Sequence, residues 1–377
     1  MSREHGADVA IYLPRAAALY LEGGGLVAGA ERQSGYLARG LAAAGLRVRH
    51  IIDPVPGRQV RADGPVEPVV LDLEPEDRRL SRYRGIAATL KATDARLYIQ
   101  ICASHETGVV GTWARLHRRR FVFKSSHDSD FMTDAGVLRT TGAGLQMRRV
   151  MLQYRIGIHM AERVVVQTER QRELAQQRFG IEDAVVIPNA VVLPPLARPR
   201  PREAFLWIGG IIGVKDPLSY VELARRVPEA RFWMVPSERR ITPRDLADRL
   251  RTEAAGVANL ELIPAMSSDE ILDLYERAVG VVSTSHLEGF PNVFLEGWSR
   301  GTPALSLRVD PDRVIETHSL GAVCNGSPAE LASAARRLWA ERATIDRQPY
   351  RDYVARNHDP NVVGGRWAGL VRELLDG

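Results

Sequence analysis

The chain is poor in cysteine: its 377 residues hold two, Cys102 and Cys324. They stand far apart in apolar surroundings, which excludes a disulfide scaffold, reads as two reduced, buried thiols and points to the cytoplasm. Long apolar runs are missing as well. No uninterrupted stretch reaches the length of a membrane-spanning helix, and the N-terminus has no basic region followed by a long apolar core, so a soluble or peripheral protein is expected. No repeat of solenoid length appears. Nor is there a motif that interleaves aromatic with basic residues, so nucleic acid is not expected as a partner despite the basic charge.

What is present fits a larger α/β protein. The hydrophobic fraction of 45% is enough to build a core, and the length exceeds what a single core usually supports, so two domains are expected. The net charge of +5 and pI near 9.4, carried mostly by arginine, suggest an anionic partner, which by charge alone could be membrane, nucleotide or nucleic acid. Short β-branched runs alternate with amphipathic helices, the pattern of doubly wound sheets. Strands are predicted at 9–13, 46–53, 97–103, 121–125, 164–167 and 185–188, then at 205–210, 231–235, 260–264, 279–285 and 303–307. Between the two sets, residues 192–203 hold Pro194, Pro195, Pro199 and Pro201 among arginines, which suits an interdomain linker. The domains then span 1–191 and 204–358, and a last helical stretch runs from Asn361 to Leu375.

The most informative segment is His286-Leu-Glu-Gly-Phe-Pro-Asn-Val-Phe-Leu-Glu296. A buried parallel strand precedes it, and a helix from Asn292 to Arg300 follows, stopped by Gly301 and Pro303. Glu288 and Gly289 therefore lie at the carboxyl end of a strand, where open α/β sheets bind ligands. Glu296 lies one turn into the helix and can face the same crevice. The amides of Gly289, Phe290, Pro291 (which lacks an N–H), Asn292 and Val293 open the helix, where an anion is favoured. Such a set can hold sugar hydroxyls, a diphosphate and ribose hydroxyls in turn.

Glu-Gly-Phe-Pro-Asn, then Glu-Gly and Arg-Gly-Thr-Pro, resembles the E-x7-E signature of retaining glycosyltransferases of family 4. The resemblance covers nearly the whole chain. It implies the GT-B fold, two Rossmann-like domains facing a central cleft, with residues 359–377 crossing back to brace the first domain. The loop Ala28-Gly-Ala-Glu-Arg-Gln33 is similar to a family loop and would put Gly29 nearest the donor phosphates. Phe121-Val-Phe-Lys-Ser-Ser-His127 delivers His127 to a loop where many members carry a cleft histidine that contacts the sugar or the acceptor hydroxyl. Asp128-Ser-Asp130 also matches the D-x-D motif of metal-dependent enzymes, but a two-domain layout does not need it. Near Phe205-Leu-Trp-Ile-Gly-Gly210, the family usually carries an arginine and a lysine that clamp the diphosphate. Lys215 matches the lysine, and Gly210 stands where the arginine is expected.

The resemblance thus implies a hexosyltransferase that needs no metal and no cofactor beyond its nucleotide-diphosphate sugar. Glu288, Lys215 and His127 would serve the chemistry, with Gly29, Gly289, Phe290, Pro291, Asn292, Val293 and Glu296 binding the donor. The acceptor would be a polysaccharide or lipid-linked glycan. A sugar-nucleotide epimerase of the same architecture and a donor-binding module without activity are the alternatives. Residues 142–161 mix apolar side chains with Arg148, Arg149 and Arg155 near helical spacing, so they could dock on anionic lipid at the inner face of the membrane, or simply pack on their own domain.

Overall fold

The computed structural model describes residues 5–22, 27–62, 64–73, 79–132, 145–195, 200–238, 242–264, 266 and 268–377. The chain forms two compact units, Met1–Ala190 with Pro360–Gly377, and Val191–Asp359.

Unit 1 is a seven-stranded parallel sheet in the order β3-β2-β1-β4-β5-β6-β7. In chain order it runs β1 (Ala7–Tyr12), α1 (Gly29–Ala43), β2 (Val48–Ile52), β3 (Val66–Val70), α2 (Arg79–Thr93), β4 (Ala95–Ile101) and α3 (Glu106–Leu116). It continues through β5 (Arg120–Lys124), α4 (Leu145–Ile158), β6 (Arg163–Val166), α5 (Glu169–Phe179) and β7 (Val185–Val186). The central strands β1, β4, β5 and β6 are nearly continuous buried runs, as strands covered on both faces must be. Strand β3 escapes the sequence pattern because Pro68 interrupts it. It lies at the sheet edge, where the lost N–H costs no ladder bond.

The C-terminal helix Pro360–Asp376 lies on α1, and Gly40 against Gly364 sets the closest approach. Its Trp367 and Val371 are buried in the same cluster as Leu37 and Leu41 of α1. Helix α4 packs as closely on α3: a Cβ on Gly157 would come within 2.4 Å of the Thr107 backbone. The outer side of α4 leaves Leu152 and Ile156 exposed, while Arg155 lies over the Phe179 ring at 4.9 Å. The side chain of Arg148 lies outside the described residues. No described helix is long and apolar enough to cross a membrane.

Unit 2 is a six-stranded parallel sheet in the order β10-β9-β8-β11-β12-β13. It contains β8 (Ala204–Gly210), α6 (Pro217–Arg226), β9 (Phe232–Ser237), α7 (Arg244–Ala255), β10 (Leu260–Leu262), α8 (Ser268–Arg277) and β11 (Ala278–Ser283). Then follow α9 (Asn292–Ser299), β12 (Ala304–Ser306), α10 (Val314–Thr317), β13 (Gly321–Val323), α11 (Pro328–Glu341) and α12 (Gln348–Asn357). Strand β13 is too short to leave a periodic trace in the sequence. Its Gly321, at φ 147°, has the Ala304 carbonyl where a side chain would begin.

Helix α9 is short and held at both ends. Phe294, Leu295 and Trp298 bury its inner face, and Gly297 lets it lie against Val281 of β11. At its C-terminus three arginines donate to main-chain carbonyls: Arg202 to Ala278 (2.7 Å) and Gly301 (2.6 Å), Arg351 to Ser299 (2.5 Å), and Arg347 to Arg300 (3.3 Å). Burial, together with the Arg347 charge, pushes Arg202 down to about 10. Arg202 is buried in unit 2, and Glu203 pairs with Arg277, so the end of the Pro/Arg-rich segment is fixed to this unit.

In unit 1, His50 of β2 is wholly buried, its Nδ1 2.7 Å from the Tyr20 hydroxyl, and burial pushes its pKa down from 6.5 to about 3. Between those values the unfolded chain binds a proton here that the folded protein does not, so stability falls as pH falls through this window. From pH 7 to pH 5 the loss from this one group is about 2 kcal/mol. Denaturant unfolding of wild type and His50→Leu at both pH values should show the variant losing less by about that amount. Equal losses would mean the imidazole is protonated in the folded protein.

Candidate functional site

In an open parallel sheet, loops diverge from the carboxyl edge where the strand order reverses, and a crevice opens there. In unit 2 that place is between β8 and β11. After β8 the chain makes a 3-10 turn, Gly213–Lys215, and Asp216 takes a left-handed conformation (φ 48°) before Pro217 opens α6. After β11 it passes through buried Thr284 and Ser285 to exposed His286, then through Glu288 and Gly289 into α9. The two loops are joined by several bonds. The His286 amide donates to the Val214 carbonyl (2.8 Å), Trp207 Nε1 to Thr284 Oγ1 (3.0 Å), and the Thr284 hydroxyl to the Lys215 carbonyl (2.8 Å).

The two residues expected to handle the donor meet across this crevice. The Lys215 ammonium forms an ion pair with the Glu288 carboxylate, which is only 8% exposed. Glu296 is equally buried on α9, one turn from Asn292. Gly289, Phe290 and Pro291 are buried, and Asn292 and Val293 half-buried. The Phe290 ring sits edge-on to Trp298 and 4.9 Å from the His358 ring, which fixes the turn. Pro291 supplies no side-chain cap, so the first turn of α9 keeps the positive end of its dipole toward the crevice.

A second cation–carboxylate group lies beside the first. Arg308, two residues beyond β12, donates from Nη1 to Asp216 Oδ2 (3.1 Å) and to the Thr284 carbonyl (2.8 Å). The same Asp216 oxygen accepts from Ser219 Oγ (2.7 Å) and lies 3.4 Å from His286 Nε2. Neither Asp216 nor Arg308 was expected from sequence. The signal was available, because Arg308 stands at the carboxyl end of a strand just as Glu288 does.

In unit 1 the reversal lies between β1 and β4. Gly29 is the first residue of α1 and half-buried, while the preceding Gly23-Gly-Gly-Leu26 lies outside the described residues. Arg15 pairs with Glu31 of α1 (3.0 Å) and donates to Cys102 Sγ (2.9 Å), to which Ser126 also donates (2.8 Å). Cys102, at φ 70°, is half-buried against the apolar core of unit 1 as the sequence suggests, but its sulfur accepts from these two polar groups. The flanking apolar strand hid a turn at its end. Cys324 is buried as expected, and burial pushes its thiol up to about 11.

His127 follows β5, and its Nδ1 accepts from the Ser129 amide (3.1 Å), so the neutral ring carries its proton on Nε2. Asp130 Oδ2 accepts from the amides of Ser126 (2.8 Å) and His127 (3.2 Å), and Asp128 from Gln171 Nε2 (3.1 Å) and Arg170 (3.3 Å). Both carboxylates of the D-x-D sequence thus fasten the loop. Glu106, at the start of α3, accepts from the Tyr12 hydroxyl (2.8 Å) and from Arg82 (2.5 Å), a buried structural network. Lys124, at the end of β5, is 2% exposed, and burial pushes it down to about 8. It and Lys215 are two of only three lysines in the chain, the third being exposed Lys91.

Comparison with known proteins gives the site its context. Residues 28–190 match the model of a glycosyl transferase 4-like domain, and residues 204–341 that of glycosyl transferases group 1. No curated protein matches the chain in sequence. Among solved structures, a sucrose-phosphate synthase from Thermosynechococcus elongatus superposes with a TM-score of 0.75 at 17% identity, over 98% of this chain and 99% of that one. WaaG, a glycosyltransferase involved in lipopolysaccharide biosynthesis, gives 0.69 at 14%, over 96% and 99%. An α,α-trehalose-phosphate synthase (UDP-forming) from Burkholderia vietnamiensis gives 0.69 at 13%, over 97% and 99%. At such identities the structures speak for the fold alone, which is the GT-B fold. With its two domain models in tandem along most of its length, the chain belongs to the family 4-like glycosyltransferases.

Proposed function

We propose that the protein transfers a hexose, with retention of configuration and without a metal ion, from a nucleotide-diphosphate sugar to a polysaccharide or lipid-linked glycan. The observation that carries this reading is the Lys215–Glu288 pair at the strand-order reversal of unit 2, beside the N-terminus of α9. The anomeric carbon–phosphate oxygen bond breaks as the acceptor oxygen bonds to the same face of that carbon. The acceptor's hydroxyl proton passes to the departing diphosphate. Lys215 and the first turn of α9 stabilise the charge that grows on the leaving group. Glu288 receives sugar hydroxyls once Lys215 turns to phosphate, and Glu296 receives the ribose hydroxyls. On unit 1, Gly29 opens a helix whose N-terminus suits phosphate, and the Nε2–H of His127 suits a sugar or acceptor hydroxyl.

The setting is the cytoplasm at the inner face of the membrane. The support for this is the pI near 9.4 and the exposure of Leu152 and Ile156 on α4, next to Arg149.

With a panel of nucleotide sugars and a glycan acceptor, wild type should release nucleoside diphosphate. Lys215→Ala should lower kcat by about 100-fold or more through lost stabilisation of the leaving group. Glu288→Gln should lower kcat/KM while nucleoside diphosphate alone still binds. Turnover of donor without acceptor would mark an epimerase, binding without turnover a donor-binding module, and wild-type rates in both variants a misplaced site. In a separate test, vesicles rich in phosphatidylglycerol should retain wild type on sedimentation at low salt. Leu152→Ser/Ile156→Ser should be retained less, and equal retention would remove α4 as the membrane contact.

A further inference from the structure

Building on the donor-site reading above, we propose that Arg308 is a second diphosphate-binding cation of unit 2, held in position by Asp216 and the Thr284 carbonyl. Arg308 stands at the carboxyl edge of the sheet, two residues past the strand that pairs with β11, so it shares an edge with the loop that carries Glu288. Thr284 links it directly to the other cation. Its carbonyl accepts from Arg308 Nη1, while its hydroxyl donates to the Lys215 carbonyl. Both cations are thus built on one residue.

The way the guanidinium is held matters as much as its place. Asp216 and Thr284 both take Nη1, while Nε and Nη2 make no hydrogen bond among the described residues. The Nε–Nη2 edge presents two parallel N–H groups that can meet phosphate together. The Arg308 side chain is 29% exposed, so it is open in part to a ligand, and the two Nη1 bonds restrict rotation of the group. The chain also has a need for such a cation. Gly210, at the end of β8, carries no side chain where the family resemblance puts an arginine, and Lys215 alone would face a diphosphate bearing at least two negative charges. Asp216 would then be a positioning residue that acts through Arg308. The arginine need not leave Asp216 for its free edge to engage phosphate.

The test uses the full chain with UDP, GDP, ADP and dTDP and their nucleosides, measured by calorimetry and by thermal stabilisation. For whichever nucleotide binds wild type, Arg308→Ala should weaken the diphosphate by about tenfold or more, the loss typical of hydrogen bonds to a charged group. Affinity for the nucleoside should be unchanged. Arg308→Lys should recover only part of the loss, because a point charge cannot replace the fork. Asp216→Asn should weaken the diphosphate less than Arg308→Ala and also leave the nucleoside unchanged. Should Arg308→Ala fail to fold, Arg308→Gln carries the same comparison. Diphosphate affinity within twofold of wild type in Arg308→Ala overturns the proposal and leaves the donor site standing. Equal weakening of diphosphate and nucleoside, with a lowered melting temperature of the free protein, also overturns it by showing a structural role. Failure of all four diphosphates to bind wild type overturns the donor-site reading, and this proposal with it.

Discussion

The arginine collar at the far end of α9 is the constraint on which the candidate site rests. A helix of barely two turns has little stability of its own, because nucleation is costly and few bonds follow it. Here the carbonyls at its C-terminus and just beyond are taken by Arg202, Arg347 and Arg351 rather than by water. Cations at that end favour the helix dipole. They also fix the axis, so that the opposite end, with Asn292 and the turn from Glu288, points one way. The collar concentrates positive charge without a matching carboxylate in these bonds, and burial first, then the neighbouring Arg347 charge, lowers the pKa of Arg202. The benefit is delivered at the other end of the helix, where the site lies.

At the site the balance of charge is reversed. Lys215 is answered by Glu288, and Arg308 by Asp216. These side chains are therefore held in place without ligand, which reduces the ordering that binding would otherwise require. On the proposed donor reading, phosphate competes with Glu288 for Lys215, while Arg308 keeps its bond to Asp216.

The sequence made the frame legible and left the cross-links hidden. Apolar runs such as Phe121–Lys124 and Ala278–Ser283 announce buried parallel strands, and strand ends then locate Glu288 and His127 without knowledge of any contact. Which loops meet is a matter of sheet order, and strand runs do not encode it. The bond from Thr284 to Lys215 spans 69 positions and that from Arg308 to Asp216 spans 92. Cys102 shows the same limit. Its neighbours in sequence are apolar and it packs on the core, yet Arg15 and Ser126, brought in from other strand ends, donate to its sulfur. Strand β3 was hidden for a local reason, since Pro68 breaks the pattern that its edge position tolerates.

The scarcity of lysine has a practical consequence. Almost all of the chain's positive charge is carried by guanidinium groups, which acylating reagents leave alone at neutral pH. Of the three lysine amines, Lys91 lies open on unit 1, Lys124 is sealed beneath its sheet edge, and Lys215 is the sole lysine of unit 2. Amine-directed chemistry on unit 2 therefore has a single lysine to find, and it is the one in the candidate site.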